Sequence, residues 1–157
     1  MTSQHHSLLL FGWKINQGIM NHTSTQILRQ YVLYFYEKHL SGHLQNEERI
    51  LLSALGEKDP CGQKMAFVHD TIRHQMQEIR SNDTVPKESF QRFCQLLMQL
   101  VRYEESKLIP HLEDTLSGWK LSQIQYLLKA TDQPFEDTFS PLFWQDPATG
   151  PDRESCV

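Results

Sequence analysis

Apolar residues recur three and four positions apart along four long segments of this chain, and this spacing restricts the fold more than any other feature. Side chains three or four apart stack on one face of an α-helix. Glycine or short polar residues follow the segments, as at Gly18, Gly56 and Ser81-Asn82-Asp83. The sequence therefore predicts helices over residues 4–18, 24–54, 60–80 and 87–117, with a short fifth helix over residues 123–131.

Capping residues and prolines mark the helix starts: Thr23 or Ser24, Pro60, Pro86 and Ser122. Pro110 is expected to bend the last turns of the fourth helix, which Gly118 follows. Because the connections between the long helices are short, successive helices should be antiparallel. The predicted fold is all-α, an antiparallel up-down-up-down four-helix bundle with a short fifth helix and an irregular C-terminal tail.

The chain of 157 residues suits one domain with a full hydrophobic core. Residues 1–133 are predicted to form the helical domain, and residues 134–157 form a tail rich in proline and aromatic residues. The aromatic side chains of the tail are expected to pack against the helices: Phe135, Phe139, Phe143 and Trp144. About ten residues at the end of the chain are expected to be disordered.

Charge and hydropathy argue against several classes of partner. The net charge of −4 disfavours nucleic-acid binding, which normally needs a basic surface. No apolar run reaches the ~20 residues of a membrane span, and the N-terminus lacks the basic region of a signal peptide. A cytoplasmic location, without nucleic-acid or membrane partners, is expected. The three cysteines, Cys61, Cys94 and Cys156, are widely spaced, which predicts reduced thiols.

Histidine is the unusual component, with eight residues, and several of them fall on apolar helix faces. A helix turns by about 100° per residue, so each side chain can be placed on a helical wheel. His43 and Glu47 lie in the middle of the apolar face of the second helix, and His39 lies at its edge. His69 shares the apolar face of the third helix, whereas His74 points nearly away from it.

The first and fourth helices add polar residues to the same interior. His5 lies on the apolar face of the first helix, and His6 is about 100° away from it. Glu104 lies on the apolar face of the fourth helix, one turn after Leu100. Each of the four long helices thus offers at least one imidazole or carboxylate to the core.

A single inward-facing histidine is normally a hydrogen-bonded core residue, and a single glutamate near a helix end normally reaches water. The whole set is harder to explain in this way, because burying two carboxylates without partners costs several kcal/mol each. A divalent or trivalent cation supplies the compensation. Imidazole and carboxylate ligands inside a bundle suit iron first, with manganese or zinc as alternatives, and two carboxylates can bridge two metals. No cysteine lies in this layer, so an iron–sulfur cluster is not expected.

Three segments carry a family resemblance: HHSLLLFGWKINQG at the start, YFYEKHLSGHLQNEE in the second helix and VRYEESKLIPHLE in the fourth. Through them, roughly residues 4–117 resemble the hemerythrin-like family, whose unit is the HHE cation-binding domain. The family pattern is an N-terminal His, an HxxxE, a further His and a second HxxxE. The resemblance implies a four-helix bundle around a non-haem di-iron centre, with metal ligands at His5, His43, Glu47, His69 and Glu104.

Leu100 departs from the family pattern, which places a histidine at this position. The implied set is then three histidines and two glutamates, and one iron is short of a nitrogen ligand. Water, a small ligand or a repositioned His39 would fill the vacancy, or else one of the two metals is weakly bound or absent. His6 stays an alternative to His5, and His111 lies two turns beyond Glu104.

The leading functional hypothesis follows from the resemblance. It is a non-haem iron protein that binds or senses oxygen or a related diatomic molecule, or that handles iron. The sequence shows no catalytic constellation and no phosphate-binding loop, so enzymatic turnover is not favoured. The competing hypothesis is a metal-deficient helical bundle that serves as a structural or protein-interaction module. Leu100 favours this second hypothesis, and the aromatic tail would be the docking surface.

Overall fold

The computed structural model describes residues 3–146, and this part of the chain contains helices and no strands. The helices are α1, Ser3–Met20; α2, residues 25–55; α3, Pro60–Ser81; α4, residues 87–115; and α5, Gly118–Thr131. The prediction of an all-α fold is confirmed. Helix α4 packs along both α1 and α3. The antiparallel up-down-up-down arrangement of the four long helices stays a prediction.

None of the helices within residues 3–146 combines the length and the apolar character that a membrane crossing requires. Side-chain caps lie at two of the predicted helix starts, one at the predicted residue Ser24 and one at Asp59, which was not predicted as a cap. Ser24 caps α2 by accepting the N–H of Ile27 at 3.3 Å, and Asp59 caps α3 by accepting the N–H of Gly62 at 3.0 Å. Gly56, with φ of 89°, has a positive φ that favours glycine, and α2 ends at this residue.

Two predicted boundaries are wrong, each for a physical reason. Helix α5 begins at Gly118 rather than near residue 123, because the hydroxyl of Ser117, and not that of Ser122, caps it. Helix α1 continues past Gly18. A Cβ atom on Gly18 would lie 2.6 Å from the ring of Phe143, so this glycine permits close packing and does not end the helix.

Three π-helical turns interrupt the described helices: Tyr36–Leu40 and Glu48–Leu52 in α2, and Glu104–Leu108 in α4. A π-helical turn is rare and is frequently found at functional sites. The two turns in α2 lie on either side of His43 and Glu47, and the third begins at Glu104. A wheel with a regular turn of about 100° per residue does not anticipate them.

The buried apolar side chains form two clusters. The larger cluster joins α1, α2, α3 and α4, and the smaller one joins the later parts of α2 and α4 to α3 and α5. On α3, His69 lies between Met65 of the smaller cluster and Ile72 of the larger one. Glu47 of α2 and Glu104 of α4 likewise fall between members of the two clusters along the sequence. The polar residues therefore lie at the junction of two apolar regions.

The described part of the C-terminal tail lies against the larger cluster. The expected packing of its aromatic side chains is confirmed for Phe135, Phe139, Phe143 and Trp144. Asp137 connects the tail to α1 and α2. Its Oδ2 accepts hydrogen bonds from Lys14 Nζ at 2.8 Å and from the Tyr31 hydroxyl at 2.5 Å. The disorder predicted for the end of the chain falls outside the described residues, and the division at residue 133 stays a prediction.

Candidate metal centre

Three imidazoles and two carboxylates meet inside the protein. Each of the five is at most 6% exposed: His5 of α1, His43 and Glu47 of α2, His69 of α3 and Glu104 of α4. The expectation that these side chains face the interior is confirmed. On α1 the neighbouring His6 is exposed, so the structure places only His5 in the cluster.

The shortest contacts in the cluster join imidazole nitrogens to carboxylate oxygens. His5 Nε2 lies 2.6 Å from Glu104 Oε2, and His43 Nε2 lies 2.9 Å from Glu47 Oε1. His69 Nε2 lies 3.3 Å from Glu47 Oε2 and 3.8 Å from Glu104 Oε1. Ligand atoms of His5, His43, Glu47 and Glu104 all lie within 4.8 Å of one another. Because metal–ligand bonds of about 2.0–2.2 Å separate two ligands of one ion by at most about 4.4 Å, small side-chain movements would bring these atoms onto one ion.

Four buried polar atoms of the cluster have no hydrogen-bond partner among the described residues: His43 Nε2, Glu47 Oε2, His69 Nε2 and Glu104 Oε1. They lie close to one another but not in hydrogen-bonding geometry. Buried polar atoms are almost always hydrogen-bonded in folded proteins, so a group of four exceptions at one place needs an explanation. A cation between them would satisfy all four.

The second ring nitrogen of each imidazole, Nδ1, forms a hydrogen bond with a side chain outside the cluster. The partners are Glu105 for His5 at 3.1 Å, Gln4 for His43 at 2.6 Å and Glu48 for His69 at 2.9 Å. Contacts of this kind orient metal-binding histidines and leave Nε2 for the ion. None of the three partners was predicted from the sequence. The only sequence signal is adjacency, since each partner directly precedes or follows a predicted ligand along the chain.

The two carboxylates dominate the electrostatics of the cluster. Burial alone would lower the pKa of His5, but the hydrogen bond to Glu104 raises it to about 9. Burial also opposes protonation of His69, yet the nearby Glu104 and Glu47 raise its pKa to about 10. Burial opposes ionisation of Glu47, but the charge of His43 holds its pKa well below the usual range. The pKa of Glu104 is raised, first by burial and then by the charge of Glu47. Protons on imidazoles therefore balance carboxylate charge in the metal-free protein, and a cation can replace them.

His39 lies beside the cluster without joining it. Its ring is nearly parallel to that of His43, with 6.3 Å between the centroids, and it contacts the ring of Phe135 in the tail. Burial, and then the charge of His43, lower the pKa of His39 to about 4. Its Nε2 is buried without a hydrogen-bond partner among the described residues. His39 is not among the four residues whose ligand atoms lie within 4.8 Å of one another. His69 is not among them either, but its Nε2 lies within 3.8 Å of both carboxylates.

Leu100 is completely buried one helical turn before Glu104, where the family pattern calls for a histidine. It contributes apolar packing and no ligand atom to the cluster. The other candidate histidines lie elsewhere. His74 is exposed, as predicted, and His111 pairs with Asp59 at 2.7 Å.

A small cavity adjoins the cluster. Its volume is about 70 Å³, and its lining combines four of the polar residues with apolar side chains from α2, α4 and α5. Leu51, Leu108 and Leu128 are among these apolar side chains. Since one water needs roughly 10–15 Å³, the cavity has room for a few molecules of the size of water or a diatomic gas.

The fold and the site define an all-α protein with a buried group of imidazoles and carboxylates that can hold a metal ion. Comparisons with protein-family models, with curated proteins and with solved structures find no match for this chain. The resemblance to the hemerythrin-like family therefore stays a prediction from the sequence motifs.

Proposed function

We propose that this chain is a non-haem iron protein of the hemerythrin-like kind, with its four long helices arranged as an antiparallel up-down-up-down bundle around the metal. One observation carries the proposal. Two ring nitrogens and two carboxylate oxygens come together in the interior, and none of the four has a hydrogen-bond partner among the described residues. The three imidazoles of the cluster are each held by a second side chain through the other ring nitrogen. A polar network that was complete in itself would not leave these atoms without hydrogen bonds.

The chemistry of the donors supports iron. Imidazole suits several transition metals, and carboxylate adds preference for harder ions, so the mixed set fits ferrous or ferric iron with manganese and zinc as alternatives. His5, His43 and His69 would supply nitrogen, and Glu47 and Glu104 would supply oxygen. Each of the two carboxylates lies near two imidazoles, as a bridging ligand would.

The donor count bears on how many ions bind. Three imidazoles and two carboxylates would give one six-coordinate ion five ligands and one open position, and they would leave a second ion with few nitrogen ligands. Leu100 is the reason, since it fills a buried position on the same helix face as Glu104 with a side chain that cannot bind metal. We infer that the first ion binds tightly and that the second binds weakly or not at all.

The adjoining cavity supports a small ligand. Ferrous iron held by these side chains would keep an open position for oxygen, nitric oxide or water. The cavity of about 70 Å³ places apolar leucine side chains beside that position, which suits an uncharged diatomic molecule. Binding or sensing of such a molecule, or handling of iron itself, is the function that the site supports best.

A second candidate function has one observation in its favour. Leu100 removes a ligand that the family pattern requires, and the charges of the cluster can be balanced by protons alone. A bundle that has lost metal binding and serves as an interaction module would look similar at these positions. Metal analysis separates the two candidates.

The experiment is anaerobic reconstitution of the metal-free protein with ferrous iron, followed by measurement of iron per chain and of near-ultraviolet absorption after exposure to oxygen or nitric oxide. We expect at least one iron per chain and a ligand-dependent charge-transfer absorption. Glu47→Gln keeps the size of the side chain, removes one ligand charge and should abolish most iron binding. Glu113→Gln, at an exposed carboxylate of α4, is the matched control. Protein that stays colourless and iron-free under these conditions would refute the iron proposal and favour the metal-deficient bundle.

A further inference from the structure

A second group of metal-binding side chains lies where the start of α3 meets the end of α4. It consists of Asp59, Cys61 and His111, and ligand atoms of the three all lie within 4.8 Å of one another. The group shares no residue with the buried centre. His111 Nε2 lies 2.7 Å from Asp59 Oδ2, and Cys61 carries a free thiol. Carboxylate, thiol and imidazole thus converge from two helices.

Contacts with the rest of the fold hold each of the three in place. Asp59 caps α3 through Oδ1, which leaves Oδ2 directed towards His111. The Tyr103 hydroxyl donates a hydrogen bond to the carbonyl oxygen of Cys61 at 2.9 Å and so fixes the backbone there. His111 Nδ1 lies 3.4 Å from the hydroxyl of Thr115. Three residues with separate outer contacts form a built group and not a chance approach of mobile side chains.

Their exposure is intermediate. The side chain of Asp59 is 10% exposed and that of His111 is 28% exposed, so an ion can reach the group from solvent while its ligands are partly shielded from water. The two anionic donors lie at the start of α3, where the helix dipole favours negative charge. One thiolate, one carboxylate and one neutral imidazole carry a total charge that a divalent cation neutralises.

An ion pair alone does not account for the group. Hydrogen bonding explains why Asp59 and His111 meet, but it gives no role to the thiol beside them. A nucleophilic triad does not account for it either, because a triad needs the imidazole to bond the thiol through one nitrogen and the carboxylate through the other. Here Nε2 faces the carboxylate and Nδ1 lies near a threonine hydroxyl.

We propose that Asp59, Cys61 and His111 form a second metal site that binds Zn²⁺, with a water molecule as the fourth ligand. Sulfur, nitrogen and oxygen ligands in one tetrahedral set are typical of zinc, and three protein ligands with one open position are a recurrent arrangement. On binding, the Cys61 thiol loses its proton to solvent, and the imidazole exchanges its contact with Asp59 for the ion. The bound ion would join the start of α3 to the end of α4, two segments that both contribute residues to the smaller apolar cluster or its surroundings.

Cobalt titration of the full-length chain tests the site. Cobalt(II) occupies zinc sites, and a thiolate ligand adds a near-ultraviolet sulfur-to-cobalt absorption that the buried centre cannot produce, since it contains no sulfur. We expect this absorption in the wild-type protein and its displacement by added zinc. Cys61→Ser should abolish it. His111→Ala should weaken cobalt binding by about tenfold or more, whereas His74→Ala, at an exposed histidine of α3, should leave it unchanged.

Asp59→Asn is the most informative variant, because asparagine caps a helix about as well as aspartate does but lacks the anionic oxygen. It should keep the helical content and the melting temperature of the zinc-free protein close to wild type and lose about tenfold or more in cobalt affinity. Glu47→Gln, which removes a ligand of the buried centre, should keep the sulfur-to-cobalt absorption. This variant separates failure of the second site from failure of the proposed function.

Thiol alkylation gives an independent measurement. The three cysteines lie in different tryptic peptides, so mass spectrometry reports the alkylation of each one. Zinc should slow alkylation of Cys61 by about tenfold or more and leave Cys94 and Cys156 unaffected. A wild-type protein without sulfur-to-cobalt absorption at saturating cobalt would overturn the proposal. So would absorption that survives in Cys61→Ser, and so would cobalt affinity that is unchanged in both His111→Ala and Asp59→Asn.

Discussion

The substitution Leu100→His tests whether position 100 faces the proposed iron centre. Leu100 has no exposed surface and lies one helical turn before Glu104. A histidine here would restore the second HxxxE of the family pattern. If the position faces the metal, the new imidazole becomes a ligand. If it does not, the substitution only buries a polar ring in apolar surroundings.

The metal-free variant should be less stable in either case. Complete burial of a leucine side chain contributes about 1.5–3 kcal/mol, of which the imidazole ring keeps a part. An unpaired ring nitrogen in the core costs about 1–3 kcal/mol more. We therefore expect a loss of about 2–4 kcal/mol in the free energy of unfolding. For a chain of this length, each kcal/mol corresponds to roughly 2–4 °C, so the melting temperature should fall by about 5–15 °C.

Iron should restore part of the lost free energy of unfolding only if the new imidazole at position 100 can reach the metal. An additional ligand that raises iron affinity by about tenfold to a hundredfold adds roughly 1.4–2.7 kcal/mol of metal-dependent stabilisation by mass action. The assay is calorimetric unfolding of wild type and variant, each with and without ferrous iron under anaerobic conditions. Leu97→His is the matched control, since Leu97 is equally buried on α4 but lies two turns before Glu104. Equal iron-dependent shifts in the Leu100→His and Leu97→His variants would show that position 100 does not reach the metal.

Three further outcomes are expected. Glu47→Ala should lose most bound iron and the iron-dependent part of the melting temperature, and normal iron content in this variant would contradict the assignment. His69→Ala should lose iron, whereas His74→Ala should not, because His74 is exposed on the same helix. Metal analysis of both variants checks which face of α3 lies towards the proposed iron centre. Asp137→Asn should cost about 3 kcal/mol in urea unfolding of the metal-free protein, because the nearly buried Lys14 ammonium loses its partner; a loss below about 1 kcal/mol would contradict this. Burial opposes ionisation of Asp137, but Lys14 holds the pKa of its carboxyl below the usual value, so its stabilisation is complete above about pH 4 and disappears as the pH falls through the lower, folded-state pKa. Urea unfolding between about pH 2 and pH 7 should therefore show a loss of stability on acidification that is smaller in Asp137→Asn.

The periodicity of the sequence was sufficient to predict the helices and to predict that the five polar side chains face the interior. Helix formation and the facing of side chains are local properties, since they depend on residues three and four apart. His43 and Glu47 could be placed in the interior because the other residues on their helix face are apolar, and His74 could be placed outside by the same rule. The choice between His5 and His6 stayed open until the structure showed that His6 is exposed. Local rules do not choose between two equally good capping residues. Ser122 was predicted to start α5, but Ser117, five positions earlier, caps the helix.

The contacts that bring the five polar side chains together into a candidate metal centre depend on the tertiary structure. His5 and its outer partner Glu105 are 100 positions apart, and His43 and Gln4 are 39 positions apart. No helical period relates such pairs, because their approach depends on how separate helices pack. The same holds for Cys61 and His111, which the sequence alone left as an ordinary thiol and a surplus histidine. The residue types and their helix faces were thus determined by local sequence, whereas only the packing of the helices decided which donor atoms meet and which polar atoms stay unpaired.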